Sequence, residues 1–166
     1  MKKLFLPLLF FLQFLITESQ TTNTNPVLTL QTGHSANFRV AFSPDGKNMV
    51  TGGTDKFVLY WDVKKGKHYE PLHGHTGAVT DVVWDSDNEH FYSCDYIGRI
   101  IKWNKNTRKS VAEFFKLDSS FIRMTFVPDK NWLVAVSKDS MVRVFDRKLN
   151  VIKKKKLADA SAISVA

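Results

Sequence analysis

The feature that most constrains this chain is a repeat. Phe42, Trp84 and Phe126 stand 42 residues apart, and Trp61, Trp103 and Phe145 keep the same interval. Gly33-His34 returns as Gly74-His75 after 41 residues, and the turn Ser43-Pro44-Asp45-Gly46 returns as Asp85-Ser86-Asp87-Asn88 and then Val127-Pro128-Asp129-Lys130. Aromatics, a histidine pair and a turn sharing one period describe one supersecondary unit copied three times, and such units bury their apolar faces only by stacking on their neighbours.

Each unit divides into four short runs rich in β-branched and aromatic residues, bounded by Gly, Pro, Asp and Asn, which predicts strands separated by turns. The first unit gives Phe38–Phe42, Asn48–Gly52, Phe57–Trp61 and Lys67–Leu72. The second gives Val79–Trp84, His90–Cys94, Arg99–Trp103 and Lys109–Phe114, and the third gives Phe121–Phe126, Trp132–Val136, Met141–Phe145 and Val151–Leu157. Phe57-Val58-Leu59-Tyr60-Trp61 is apolar on both faces, so each four-stranded sheet needs cover on two sides.

A Gly-His opening, an aromatic followed by Ser-Pro-Asp-Gly, a Gly-Gly-Thr-Asp turn and the closing Trp61-Asp62 resemble the WD-repeat β-propeller family, from about Val27 to the C-terminus. The resemblance implies an all-β fold of propeller blades, each of four antiparallel strands. The family builds rings of about four to eight blades. This chain holds about three blades and the first part of a fourth, an incomplete ring. The units run at about 30–71, 72–114 and 115–157, with a remnant at 158–166. Val27–Gln31 reads as a fourth-type strand whose own unit is missing. Blades one and three are then expected to expose apolar faces, so that the chain is a fragment or a segment that associates with itself.

The resemblance also implies a structural hydrogen-bond network running from Asp through His and Ser or Thr to the Trp ring nitrogen: His34, Thr51, Asp55 and Trp61 in the first unit, His75, Ser93 and Trp103 in the second. The second unit has Ile97 in place of the turn Asp and Asn104 in place of the closing one. The third has Lys116 and Leu117 where Gly-His belongs, and Ala135 and Phe145 remove two more members. Family members bind partners through one rim, made by the loops before first strands and between second and third strands. Here that rim includes Ser35, Asn37, Thr54, Lys56, Thr76, Tyr96 and Ser120.

Chemistry has little to stand on. Asp, His and a hydroxyl together resemble a nucleophilic triad, but with no identifiable oxyanion or substrate pocket beside them they read as structural. Alternate residues of an extended segment point to opposite sides, so His73 and His75 are poorly placed to share a metal. Asp85, Asp87 and Glu89 lack the register of a calcium loop and read as a solvated turn. The single cysteine, Cys94, reads as a small buried hydrophobe. No catalytic, metal or cofactor site is assigned.

The first 19 residues read as a signal peptide: Lys2 and Lys3 precede the apolar run Leu4–Ile16, which is shorter than the ~20 residues of a spanning helix, and Thr17 and Ser19 suit cleavage. An uncleaved anchor or a buried helix is the alternative. Residues 20–26 read as a polar linker and 27–166 as the partial propeller. Export to a periplasm or to the outside is the resulting expectation, without stable membrane insertion. With 24 Lys and Arg against 16 Asp and Glu the net charge is +8. Lys153–Lys156 could meet phosphates, but on an extended strand the four lysines divide between two faces and read as a solubilising edge. Nothing resembles a nucleic-acid motif with aromatics placed to stack bases, and an exported chain rarely meets nucleic acid, so that partner is set aside.

The expected function is a noncatalytic protein-interaction scaffold that takes a protein or peptide ligand on its rim. The alternatives are the N-terminal propeller of a larger exported enzyme, such as a peptidase, and a self-assembling structural segment.

Overall fold

Short β-branched and aromatic runs punctuated by turn residues give twelve strands in the computed structural model, which describes residues 36–157. They are β1 (Asn37–Phe42), β2 (Asn48–Gly53), β3 (Val58–Asp62), β4 (Lys67–His68), β5 (Val79–Trp84), β6 (His90–Asp95), β7 (Arg99–Asn104), β8 (Lys109–Phe115), β9 (Phe121–Val127), β10 (Trp132–Ser137), β11 (Met141–Phe145) and β12 (Val151–Lys156), with one 3-10 turn at Pro128–Lys130. Consecutive strands pair antiparallel into three four-stranded sheets, β1–β4, β5–β8 and β9–β12. The expected signal peptide and linker, the strand Val27–Gln31, His34, Ser35 and the remnant 158–166 lie outside the described residues, as does the side chain of Asn37.

One strand departs from expectation. The run Lys67–Leu72 forms a ladder only at Lys67–His68, because Pro71 has no N–H to contribute. The chain returns to the sheet just beyond it, where Leu72 and Val58 exchange both backbone hydrogen bonds, at 2.9 and 3.3 Å.

The hairpin turns repeat with the sequence. Lys56, Gly98 and Ser140, each 42 residues from the next, close the second hairpin of their blades at φ 71°, 113° and 60°. Glycine takes the left-handed conformation without strain, and the other two blades hold it with a lysine and a serine.

The sheets stack so that β5 lies between β1 and β9. The register puts Trp103, Phe91 and Ile101 on the face of the second sheet that meets the first, and Tyr92, Cys94 and Ile100 on the face that meets the third. Val50, Val58 and Tyr60 complete the first interface, and Leu133, Ala135 and Phe145 the second. Gly52 is required at the first of these, since a Cβ there would collide with Val79. Burying a side chain such as Phe91, which is 0% exposed, stabilises by about 1.5–3 kcal/mol. Polar bonds tie the stack at its inner strands: Trp84 Nε1 donates to the Ala41 carbonyl at 3.1 Å, and Thr80 Oγ1 to the Phe121 carbonyl at 2.8 Å.

The equivalent of Trp84 in the first sheet, Phe42, is 57% exposed, and Val40 beside it is 54% exposed. Trp61, Met49 and Leu59 on the same face are buried in a cluster of their own.

Candidate functional site

At one end of the stack the same joint is built three times. The backbone N–H that follows each second strand donates to the carbonyl that precedes each first strand: Thr54 to Ala36 at 3.1 Å, Tyr96 to Ala78 at 3.0 Å, and Lys138 to Ser120 at 3.0 Å. Donors and acceptors both recur every 42 residues. This joint holds the two sets of loops together as one rim.

Of the expected rim residues, Thr54, Lys56, Thr76 and Tyr96 are exposed, and Ser120 is half-buried. Tyr96 and Ser120 are brought together, with Ser120 Oγ donating to the Tyr96 carbonyl at 2.6 Å. Lys138, which the sequence reading missed, completes the group: its Nζ lies 4.2 Å from the Tyr96 ring centroid and donates to the Tyr96 hydroxyl. The 42-residue period contained that signal, since Lys138 is the third-blade equivalent of Tyr96. Beside Tyr96 a hollow of about 370 Å³ is lined by Arg39, Ala78, Thr80, Ile122 and Arg123. Apolar walls, an exposed aromatic and two guanidinium-bearing residues make this a place where a protein segment can both bury surface and find hydrogen bonds.

Beneath the rim runs a chain of side-chain hydrogen bonds. In the second blade Trp103 Nε1 donates to Ser93 Oγ at 2.7 Å, Ser93 Oγ lies 2.6 Å from His75 Nε2, and His75 Nδ1 lies 2.9 Å from Asp95 Oδ2. The indole can only donate, which leaves the serine proton for Nε2 and the imidazole proton on Nδ1 for the carboxylate. The acid is Asp95, so the expectation that Ile97 breaks this chain is corrected. Asp95 closes β6 just before the turn that holds Ile97, so the acid reaches His75 from the strand end and not from the turn. Asp95 Oδ1 also accepts the N–H groups of Ile97, Gly98 and Arg99 at 3.0, 3.0 and 2.9 Å. Burial pushes the Asp95 carboxyl up, but His75 and these N–H groups outweigh it and hold it below the usual range.

In the first blade Trp61 Nε1 donates to Thr51 Oγ1 at 3.1 Å, and Asp55 accepts from the Phe57 N–H at 3.4 Å. In the third, where Ala135 and Phe145 remove members, a different residue closes the gap. Arg143, 4% exposed, donates to Ser137 Oγ at 2.5 Å and to Asp139 Oδ2 at 2.5 Å, and Ser119 Oγ donates to Asp139 at 3.2 Å. Burial alone would raise the Asp139 carboxyl, yet the Arg143 and Ser137 hydrogen bonds hold it well below the usual range.

Asp-His-Ser geometry thus exists, but no substrate can reach it. The His75 and Asp95 side chains are fully buried, Ser93 is 0% exposed, and both ring nitrogens of His75 are in use. His73, the neighbour considered for metal binding, packs edge-on against Phe57 at 4.7 Å instead. Asp85 receives Arg147 at 2.7 Å and Asp87 accepts the Glu89 N–H at 2.8 Å, so these carboxylates are spent on structure. Cys94 is buried, and burial pushes its thiol up, away from the reactive thiolate.

One acid links all three blades. Asp81, on β5, lies 3.5 Å from Arg39 Nε of β1 and accepts the Met124 N–H of β9 at 2.6 Å. Burial is the largest influence on it and raises the carboxyl from 3.8 to about 6, although the Met124 and Val82 N–H groups and Arg39 pull the other way. The folded state therefore holds this proton to higher pH than the unfolded chain, and stability falls as pH rises from about 4 to 6. Between pH 7 and 5 the protein should gain about 1 kcal/mol relative to Asp81→Asn, read as diverging denaturant midpoints; parallel midpoints would refute the assignment.

A sequence profile described as WD domain, G-beta repeat matches residues 24–62, 66–104 and 114–146, more than half of the chain. The chain belongs to the WD40 family. Its similarity to the rat telomerase protein component 1 is 31% identity over 111 residues, covering 64% of this chain and 4% of that protein. With human pre-mRNA-processing factor 17 it shares 28% over 130 residues, covering 75% of this chain and 22% of the other. The crystal structure of the RRP9 WD40 repeats superposes with a TM-score of 0.71 at 18% identity, covering 77% of this chain and 41% of that one, and shares the fold. The chain spans less than a third of the length of the curated relatives it matches.

These relatives correct the expectation of export. They are eukaryotic proteins named for telomerase, snoRNP association, and pre-mRNA splicing and processing, which point away from a periplasmic or secreted protein. The apolar run Leu4–Ile16 meets the compositional pattern of a leader without establishing its use. Export therefore no longer sets nucleic acid aside as a partner.

Proposed function

We propose that this chain is a noncatalytic interaction scaffold that docks a segment of another protein on the rim around Tyr96. The observation that carries the reading is the Tyr96–Ser120–Lys138 group beside the hollow lined by Arg39 and Arg123, an exposed anchor on a rigid, three-fold repeated joint. The WD40 membership supports the scaffold role, and the burial of the Asp95–His75–Ser93 chain supports the absence of catalysis. Relatives named for pre-mRNA processing and snoRNP association make a multiprotein assembly the fitting setting.

The test is a peptide selected by display against the whole 166-residue chain. Tyr96→Ala combined with Arg123→Ala should weaken its binding at least about tenfold, the loss of a central anchor, whereas Lys64→Ala on an exposed turn should leave it unchanged. Equal affinities for the parent and the double variant would remove the rim from the account.

A further inference from the structure

A second surface lies away from the rim, between the outer strands of the second and third blades. β8 and β12 are both edge strands, and the groove of about 450 Å³ beside β12 has Phe114 and Met141 among its walls. Phe114 is fixed there, edge-on to Phe145 at 4.9 Å and to Phe121 at 6.1 Å. Val151 and Ile152, 41% and 44% exposed, supply aliphatic surface, and Lys116 and Lys154 stand over it. Arg143, also at this groove, is already held by Asp139.

Apart from Lys153, whose ammonium lies 5.3 Å from the Trp132 ring centroid, the lysine charge here has no partner among the described residues. Among the described residues none of Lys116 and Lys153–Lys156 makes an ion pair. The corresponding strand of the second blade differs: β8 carries Glu113, paired with Arg99 at 2.6 Å, and turns Ala112 and Phe114 into the inter-blade core. A blade's outer strand therefore does not need four lysines. Protection of an edge accounts for lysines, but not for half-exposed Val151 and Ile152 beside a groove.

We infer that this groove binds an extended, acidic segment of another protein, its aliphatic side chains seated beside Phe114 and Ile152 and its carboxylates meeting Lys116 and Lys154. The match is one of charge and of period, since an extended segment alternates its side chains between two sides just as β12 does. The groove presents aliphatic surface and no flat exposed ring for base stacking, which favours a polypeptide over single-stranded RNA.

The experiment is fluorescence anisotropy on the whole chain with a labelled octapeptide of alternating Leu and Glu, against the same peptide with Gln for Glu. The Glu peptide should bind at least about tenfold more tightly, and Lys116→Glu with Lys154→Glu should abolish that advantage, whereas the paired Lys→Arg changes should keep it. Ile152→Ser should weaken binding several-fold. Lys116, Lys154 and Ile152 are all exposed, and unchanged melting curves would establish that the variants are folded. Tyr96→Ala should have no effect here, so failure of this surface and failure of the rim are told apart. Equal binding of the two peptides, or indifference to Ile152→Ser, overturns the proposal. So does tighter capture of oligouridine or of phosphatidylserine vesicles by the same lysines.

Discussion

Asp95→Ala is expected to destabilise the protein by about 3–5 kcal/mol. The carboxylate has four partners, the His75 ring and the N–H groups of Ile97, Gly98 and Arg99, and truncation removes this acceptor from all of them at once, with Gly98 keeping only the Asp95 carbonyl at 3.4 Å. Asp95→Asn should cost roughly half as much, because the amide oxygen still accepts the turn N–H groups. Its NH₂ then faces His75 Nδ1, forcing the imidazole proton to Nε2, where it meets a serine already receiving the Trp103 N–H. Because the folded carboxyl sits below 3.8, its contribution is complete above that value and is lost as pH falls below it. Urea denaturation of parent, Asn and Ala proteins at neutral pH reads the series. A negligible loss in Asp95→Ala would mean that the acid is not the anchor of the chain.

Arg143→Leu is expected to cost about 3 kcal/mol or more, although leucine is what the first blade has at the equivalent position, Leu59. The guanidinium, nearly all buried, is the partner of Ser137 and Asp139, and its removal takes the cation from a carboxylate only partly open to water, which then keeps the Ser119 and Ser137 hydroxyls and the Met141 N–H as donors. Adding Asp139→Ala should return much of the loss, with a coupling energy of at least about 1 kcal/mol in the double-mutant cycle. Additive effects would show the two groups to be independent.

The repeat made the architecture legible, because Trp61, Trp103 and Phe145 are core residues at one structural position and aromatics there admit few alternatives. Turn-level substitutions were harder to read. The acid that serves His75 is Asp95, at the end of β6, whereas matching the repeats position by position looks for it at Ile97. Arg143 escaped notice because its equivalents, Leu59 and Ile101, are apolar, so the period predicts a hydrophobe where an arginine has taken over the joint. Lys138 stood at a position the period marks, but an exposed lysine signals nothing until its ammonium is seen over Tyr96. Pro71 shows the reverse: its effect on β4 follows from the missing N–H and was available from the sequence.

The central claim, that recognition occurs on the rim and not at the buried Asp-His-Ser chain, is tested most directly by hydrogen–deuterium exchange with and without the display-selected peptide. Slowed exchange confined to the backbone around Tyr96–Gly98, Ser119–Ser120 and Lys138–Ser140 is the expected footprint. Protection confined to β4 or to the turns at the opposite end of the blades, with the rim unchanged, would contradict it.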